Sequence, residues 1–134
     1  MENAASVRTG WLKAMYLWTL VGAGGFGLAI LAMPGKVLAI LRFPPQDPVT
    51  LKAYGSVLLA SGLLAIPALR SPLKFIPLLL LQLVYKPIWI AAVAAPIFLE
   101  GRFPLYVVTI TGVFLTYIVG NLIAIPFRSF FSKS

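Results

Sequence analysis

Residues 103–127 read FPLYVVTITGVFLTYIVGNLIAIPF, 25 consecutive residues without a charged side chain. A helix needs about 20 mostly apolar residues to cross a hydrocarbon core of about 30 Å, so this stretch is long enough to span a bilayer. The rest of the chain repeats the pattern. Between Lys13 and Lys36 lie 22 uncharged residues, and between Lys52 and Arg70 lie 17, which reach spanning length once Val49 to Leu51 are added. Phe75 to Leu99 holds 25 residues with a single charge, Lys86. The expected fold is all-α: an integral membrane four-helix bundle with short loops. A single transmembrane domain over 1–134 would place its spans at approximately 12–33, 49–69, 73–99 and 104–126.

Composition excludes the alternatives. Of 134 residues, 60% are hydrophobic and 10% charged, against about 25% charged in soluble domains. With no His, no Cys and three acids, the chain lacks the donors for most metal sites, bis-histidine haem, thiol chemistry or a catalytic triad. No protein-ligated metal or haem is expected. A net charge of +8 would suggest nucleic acid in a soluble protein. Here the basic residues stand in ones and twos at span borders, where lipid headgroups and topology account for them, and nucleic acid is not an expected partner.

Proline and small polar residues punctuate the spans. Asp47-Pro48 and Ser71-Pro72 read as openings of spans two and three, because Ser or Asp caps free amides and Pro suits the first turn. Met33-Pro34-Gly35 closes span one, and Gly101 with Pro104 frames the turn into span four. The longest connection, Pro34 to Pro48, contains an apolar cluster flanked by Lys36 and Arg42; it fits either a short interfacial helix or an irregular loop anchored by Phe43. The polar start, Met1 to Gly10, precedes a full-length span rather than the shorter apolar region of a cleaved signal. The tail Phe127 to Ser134 reads as an interfacial anchor. Arg42-Phe43-Pro44 and Arg102-Phe103-Pro104 match, but the helices between them do not repeat.

Basic residues in short flanking loops set orientation. Arg8, Lys13, Arg70, Lys74, Arg128 and Lys133 fall on one side, and Lys36, Arg42, Lys52 and Arg102 on the other. The expectation is a multi-pass protein of the cell membrane with both termini cytoplasmic.

Lys86 is the candidate site, since a charge near mid-span is costly and needs compensation. Gln82 and Trp89 share its helical face, and Tyr85 lies beside it. Pro87 predicts a kink and frees the carbonyl of Leu83. The three acids, Glu2, Asp47 and Glu100, lie outside the spans. Lys86 can therefore be neutral, bond internal acceptors such as Asn121 or Tyr117, meet a ligand, lipid or partner chain, or snorkel to one surface. Asn121 reads as an interhelical hydrogen-bonding group. Gly112, Thr116, Gly120 and Ala124 recur every four residues along span four and read as a packing stripe, within the bundle or between copies. Gly22, Gly24, Gly25 and Gly27 suggest close packing or bending in span one. No chain of acids or histidines crosses the spans, which argues against a channel or pump.

Tyr85-Lys86-Pro87-Ile88-Trp89, with Thr116-Tyr117-Ile118-Val119-Gly120-Asn121-Leu122-Ile123-Ala124-Ile125-Pro126, resembles small four-helix bacterial inner-membrane proteins of the DoxX-like group. The resemblance spans the layout of spans two to four. Some DoxX-like proteins are regarded as membrane subunits of quinone-linked oxidoreductases, so the resemblance implies a role beside a redox complex. The absence of His and Cys argues against a redox centre in this chain itself. The expected function is a non-enzymatic accessory or stabilising subunit of a larger membrane complex, with the bilayer and other membrane subunits as partners. The alternative is a binding protein holding a quinone, pigment or lipid near Lys86, Gln82, Tyr85, Trp89 and Asn121. A lipid-acting enzyme would need a nucleophile or base that the spans do not offer.

Overall fold

A computed structural model describes residues 8–128. Helix α1 runs Thr9–Ala32, α2 Pro34–Leu41, α3 Pro48–Arg70, α4 Ile76–Leu99 and α5 Leu105–Ala124. The four long helices have 20 to 24 residues, or about 30–36 Å at 1.5 Å per residue. All four are long and apolar enough to cross a membrane, and there is no strand among the described residues. The bundle is all-α, as its composition requires. The anchor reading of the tail falls largely outside the described residues.

Local chemistry places the helix ends. At the start of α3, Asp47 accepts from the Thr50 amide at 3.0 Å and the Thr50 hydroxyl at 2.8 Å, with Pro48 in the first turn. The hydroxyl bond, then the amide bond, hold the Asp47 carboxyl below its usual range. The connection after α1 is helical: Pro34 opens α2, and Arg42 ends it at φ 58°. Phe43 N–H donates to Leu38 O, and Arg42 N–H to Ala39 O, a Schellman closure with arginine where glycine is usual. Ser71-Pro72 does not open α4. Residues 71–75 form a turn closed by Lys74 N–H on Ser71 O, and Pro77 occupies the first turn of a helix that starts at Ile76.

Two spans contain a wide π turn, Thr19–Gly24 in α1 and Ile90–Ala94 in α4. The second follows Pro87, so the helix continues past the proline and widens one turn later.

The ends meet as an even number of spans demands. Arg8 donates to Ile123 O at 3.1 Å, and Tyr16 to Pro72 O at 2.6 Å, gathering the start of α1, the α3–α4 turn and the end of α5. At the other end the Phe43 ring packs at a tilt against Tyr106, centroids 4.5 Å apart. Leu12, Tyr16, Ala65, Ala68, Ile76 and Leu79, with Tyr117 and Ala124 of α5, form the core near the end where Arg8 and Tyr16 make these bonds. The outward faces remain apolar: Val21, Val57, Leu81, Val84, Val119 and Leu122 are all exposed. Such a continuous apolar surface belongs in lipid.

The closest helix contact lies between α1 and α3. A Cβ on Gly62 would strike the Cα of Gly24, and one on Gly27 would stand 2.6 Å from Gly55 O. The backbones touch, and only glycine permits it.

Candidate ligand site around Lys86

The inward stripe of α4 is Ile76, Leu79, Gln82 and Lys86, spaced three, three and four residues apart. That spacing aims the lysine at the bundle interior. Lys86 is 1% exposed, so its ammonium reaches neither surface and the snorkelling reading fails. Nζ donates to Tyr85 Oη at 2.8 Å and stands 4.2, 4.4 and 4.7 Å from the ring centroids of Tyr117, Tyr85 and Phe114. Three ring faces and one hydroxyl surround the charge where a carboxylate would be usual. Each desolvated cation–π contact is worth about 2 kcal/mol, so the cage supplies compensation that no acid in the spans provides.

Other contacts hold the cage in shape. Phe114 packs edge-on against Tyr85 and Trp89, at 5.9 and 5.2 Å. Tyr117 donates its hydroxyl to Trp18 O at 2.9 Å, and Trp18 Nε1 donates to Thr116 Oγ1 at 3.0 Å. Trp18 immediately precedes the π turn of α1. Gly22, inside that turn, leaves room for the Tyr117 hydroxyl, which any Cβ there would strike.

Gln82 and Asn121 do not bond Lys86. Thr19 commits its proton to Met15 O at 2.8 Å, so Gln82 must offer Thr19 its Nε2, at 3.2 Å. The Gln82 Oε1 is then left buried without a partner. Asn121 Nδ2 makes one long contact, 3.5 Å, to Leu79 O, and its Oδ1 is also unpartnered. Of the acceptors expected for Lys86, Tyr117 offers its ring rather than its oxygen, and Asn121 contributes nothing.

Beside the cage lies an apolar cavity of about 300 Å³, with Lys86, Tyr54, Phe114 and Tyr117 in its walls. A second, of about 420 Å³, is lined by Tyr85, Trp89, Tyr106, Gln46 and Thr50. Phe26, Tyr54, Ile110 and Phe114 belong to both walls, so the two adjoin.

The four-residue stripe of α5 divides. Gly120 and Ala124 are buried, and a Cβ on Gly120 would strike Met15. Gly112 and Thr116 are exposed, and nothing lies within 4 Å of a Cβ on Gly112. Four residues turn a helix about 40° past a full revolution, so the stripe drifts off the interface within three steps. The inward positions are instead Val107, Phe114, Tyr117, Asn121 and Ala124.

Sequence reasoning missed Trp18, Thr19, Tyr54 and Phe114. A signal for Trp18 and Thr19 existed, as an indole and a hydroxyl deep within a span, away from the border belts where Trp and Tyr usually gather. Comparison with protein-family models, curated proteins and solved structures gives no match.

Proposed function

We propose that this chain is a non-catalytic membrane binding protein that holds a small membrane-soluble molecule, of quinone, pigment or lipid type, in the adjoining cavities beside Lys86. One observation carries the reading: an apolar cavity of about 300 Å³ walled by aromatic rings and a buried lysine. Ligand sites are mostly apolar concavities of about 300–1,000 Å³ with a few convergent polar groups, and a bundle that only filled space would close such a void. The accessory-subunit reading rests on the thin polar inventory of the spans and on the likeness to DoxX-like proteins. It stands as the second reading, because a ligand-holding bundle also suits a place within a larger complex. Both termini are proposed to be cytoplasmic on the distribution of basic residues.

The experiment is purification of the full chain in mild detergent, followed by solvent extraction, mass spectrometry and identification of co-purifying proteins. A small molecule retained near one per chain, and displaced by Thr109→Phe in the cavity wall, is the expected outcome. Stoichiometric protein partners without any extractable molecule would favour the subunit reading instead.

A further inference from the structure

The walls of the two cavities are rich in unspent donors. Of the three N–H bonds of the Lys86 ammonium, one goes to Tyr85 Oη, and the other two meet only ring faces. Tyr85 Oη accepts that bond, which leaves its own O–H undirected. The Tyr54 hydroxyl and the Trp89 indole N–H likewise find no acceptor among the described residues. Tyr54 lines both the cavity that holds Lys86 and the one that holds Tyr85. No carboxylate lines either cavity. The site therefore holds a basic amine and several donors, with no acid in its walls to pair with them.

We propose that the occupant is a single-chain amphiphile bearing a carboxylate, a free fatty acid, with its headgroup on Lys86, Tyr85 and Tyr54 and its chain in the apolar cavity. This rests on the binding function proposed above and names its ligand class. Charge decides between a carboxylate and a neutral carbonyl. A neutral carbonyl would accept one or two of the donors and leave an ammonium with only the Tyr85 hydroxyl and the ring faces around it. A carboxylate neutralises it and accepts from several donors at once. Away from Lys86 and Tyr54, the same cavity is walled by apolar side chains, including Phe26, Leu41, Leu58 and Val113, which suit an alkyl chain.

The test uses the full chain in detergent micelles and three probes of equal chain length: oleate, methyl oleate and oleyl alcohol. Native mass spectrometry reads the bound fraction, and thermal melting reads stabilisation. Oleate should bind about tenfold or more tighter than the ester or the alcohol, the discrimination expected of charge-assisted hydrogen bonds. Lys86→Met should reduce oleate to the level of the ester and leave the ester unchanged. Tyr54→Phe should weaken oleate alone. Equal binding of acid and ester by the unmodified chain overturns the carboxylate assignment while leaving a ligand-binding bundle. That comparison needs no variant to fold. Failure of all three probes to bind, together with purified protein free of any extractable molecule, overturns both this inference and the function on which it rests.

Discussion

The α1–α3 seam and the α4–α5 side of the bundle solve the same problem in opposite ways. Lipid tails are as apolar as the helices, so association must come from close packing or from polar contacts. Between α1 and α3 the side chains vanish: Gly24 faces Gly62, and Gly27 faces Gly55, backbone against backbone. Around α4 and α5 the side chains are large and polar-tipped, with Lys86, Tyr85, Phe114 and Tyr117 braced on one another and on Trp18. The first solution leaves no room at the glycine contacts themselves, and elsewhere on the same two helices Ala23, Phe26, Tyr54 and Leu58 form one wall of the cavity. Rigid rings cannot interdigitate as closely, and the space they leave is the chamber beside Lys86. A tight seam on one side allows the other to stay open without loss of the fold.

The largest expected effect comes from breaking the glycine seam. In Gly27→Leu the new Cβ alone would stand 2.5 Å from Leu59 N and 2.6 Å from Gly55 O, and backbone cannot step aside as a side chain can. Overpacking typically costs 1–3 kcal/mol and occasionally more; a backbone collision belongs at the upper end, about 3 kcal/mol. Gly112→Leu on the open face of α5 should change stability by less than about 0.5 kcal/mol. Thermal melting or denaturant titration in detergent distinguishes them. Equal losses at Gly27 and Gly112 would show that the α1–α3 contact is not the tighter seam.

A smaller effect is expected where the two solutions meet, at Gly22 and Tyr117. Gly22→Ala drives a methyl into the Tyr117 hydroxyl and should cost about 1–3 kcal/mol. Tyr117→Phe alone gives up the 2.9 Å bond to Trp18 O, worth about 1 kcal/mol. The two losses should not add, because the phenylalanine removes the atom that the methyl would strike. The double variant should recover at least about 1 kcal/mol relative to the sum. Additive losses would place the Tyr117 hydroxyl away from Gly22.

Much of this fold is legible in the sequence alone. The helices Thr9–Ala32, Pro48–Arg70, Ile76–Leu99 and Leu105–Ala124 follow from charge-free runs, because a bilayer imposes one length on every span. Lys86 was legible for the same reason, as a charge where none is cheap. The packing partners were not. Which glycines meet depends on helix rotation, and nothing in Gly24 or Gly27 points to Gly62 or Gly55, which recur seven residues apart on another span. The stripe Gly112 to Ala124 faces the bundle only at Gly120 and Ala124, because an interval of four is only near the helical repeat. Neither π turn leaves a signature in the residue types, and Phe114 is one phenylalanine among nine.

The smallest effect sharpens what holds the α4–α5 contact. Asn121 is fully buried, yet its amide makes a single 3.5 Å contact to Leu79 O, and its Oδ1 has no partner. A bond that long is worth little, and interhelical hydrogen bonds in membrane proteins average only about 0.6 kcal/mol. Against it stands the cost of keeping a polar oxygen unpaired in an apolar interior, about 1–3 kcal/mol. Asn121→Leu keeps a side chain of similar size and removes both terms, so it should be neutral or stabilising by up to about 1 kcal/mol. Rings and packing, rather than the amide, would then be what joins α4 to α5. A loss above about 2 kcal/mol on melting would reverse that conclusion, because it would mean that Oδ1 accepts a donor within the bundle and that the amide is a structural link.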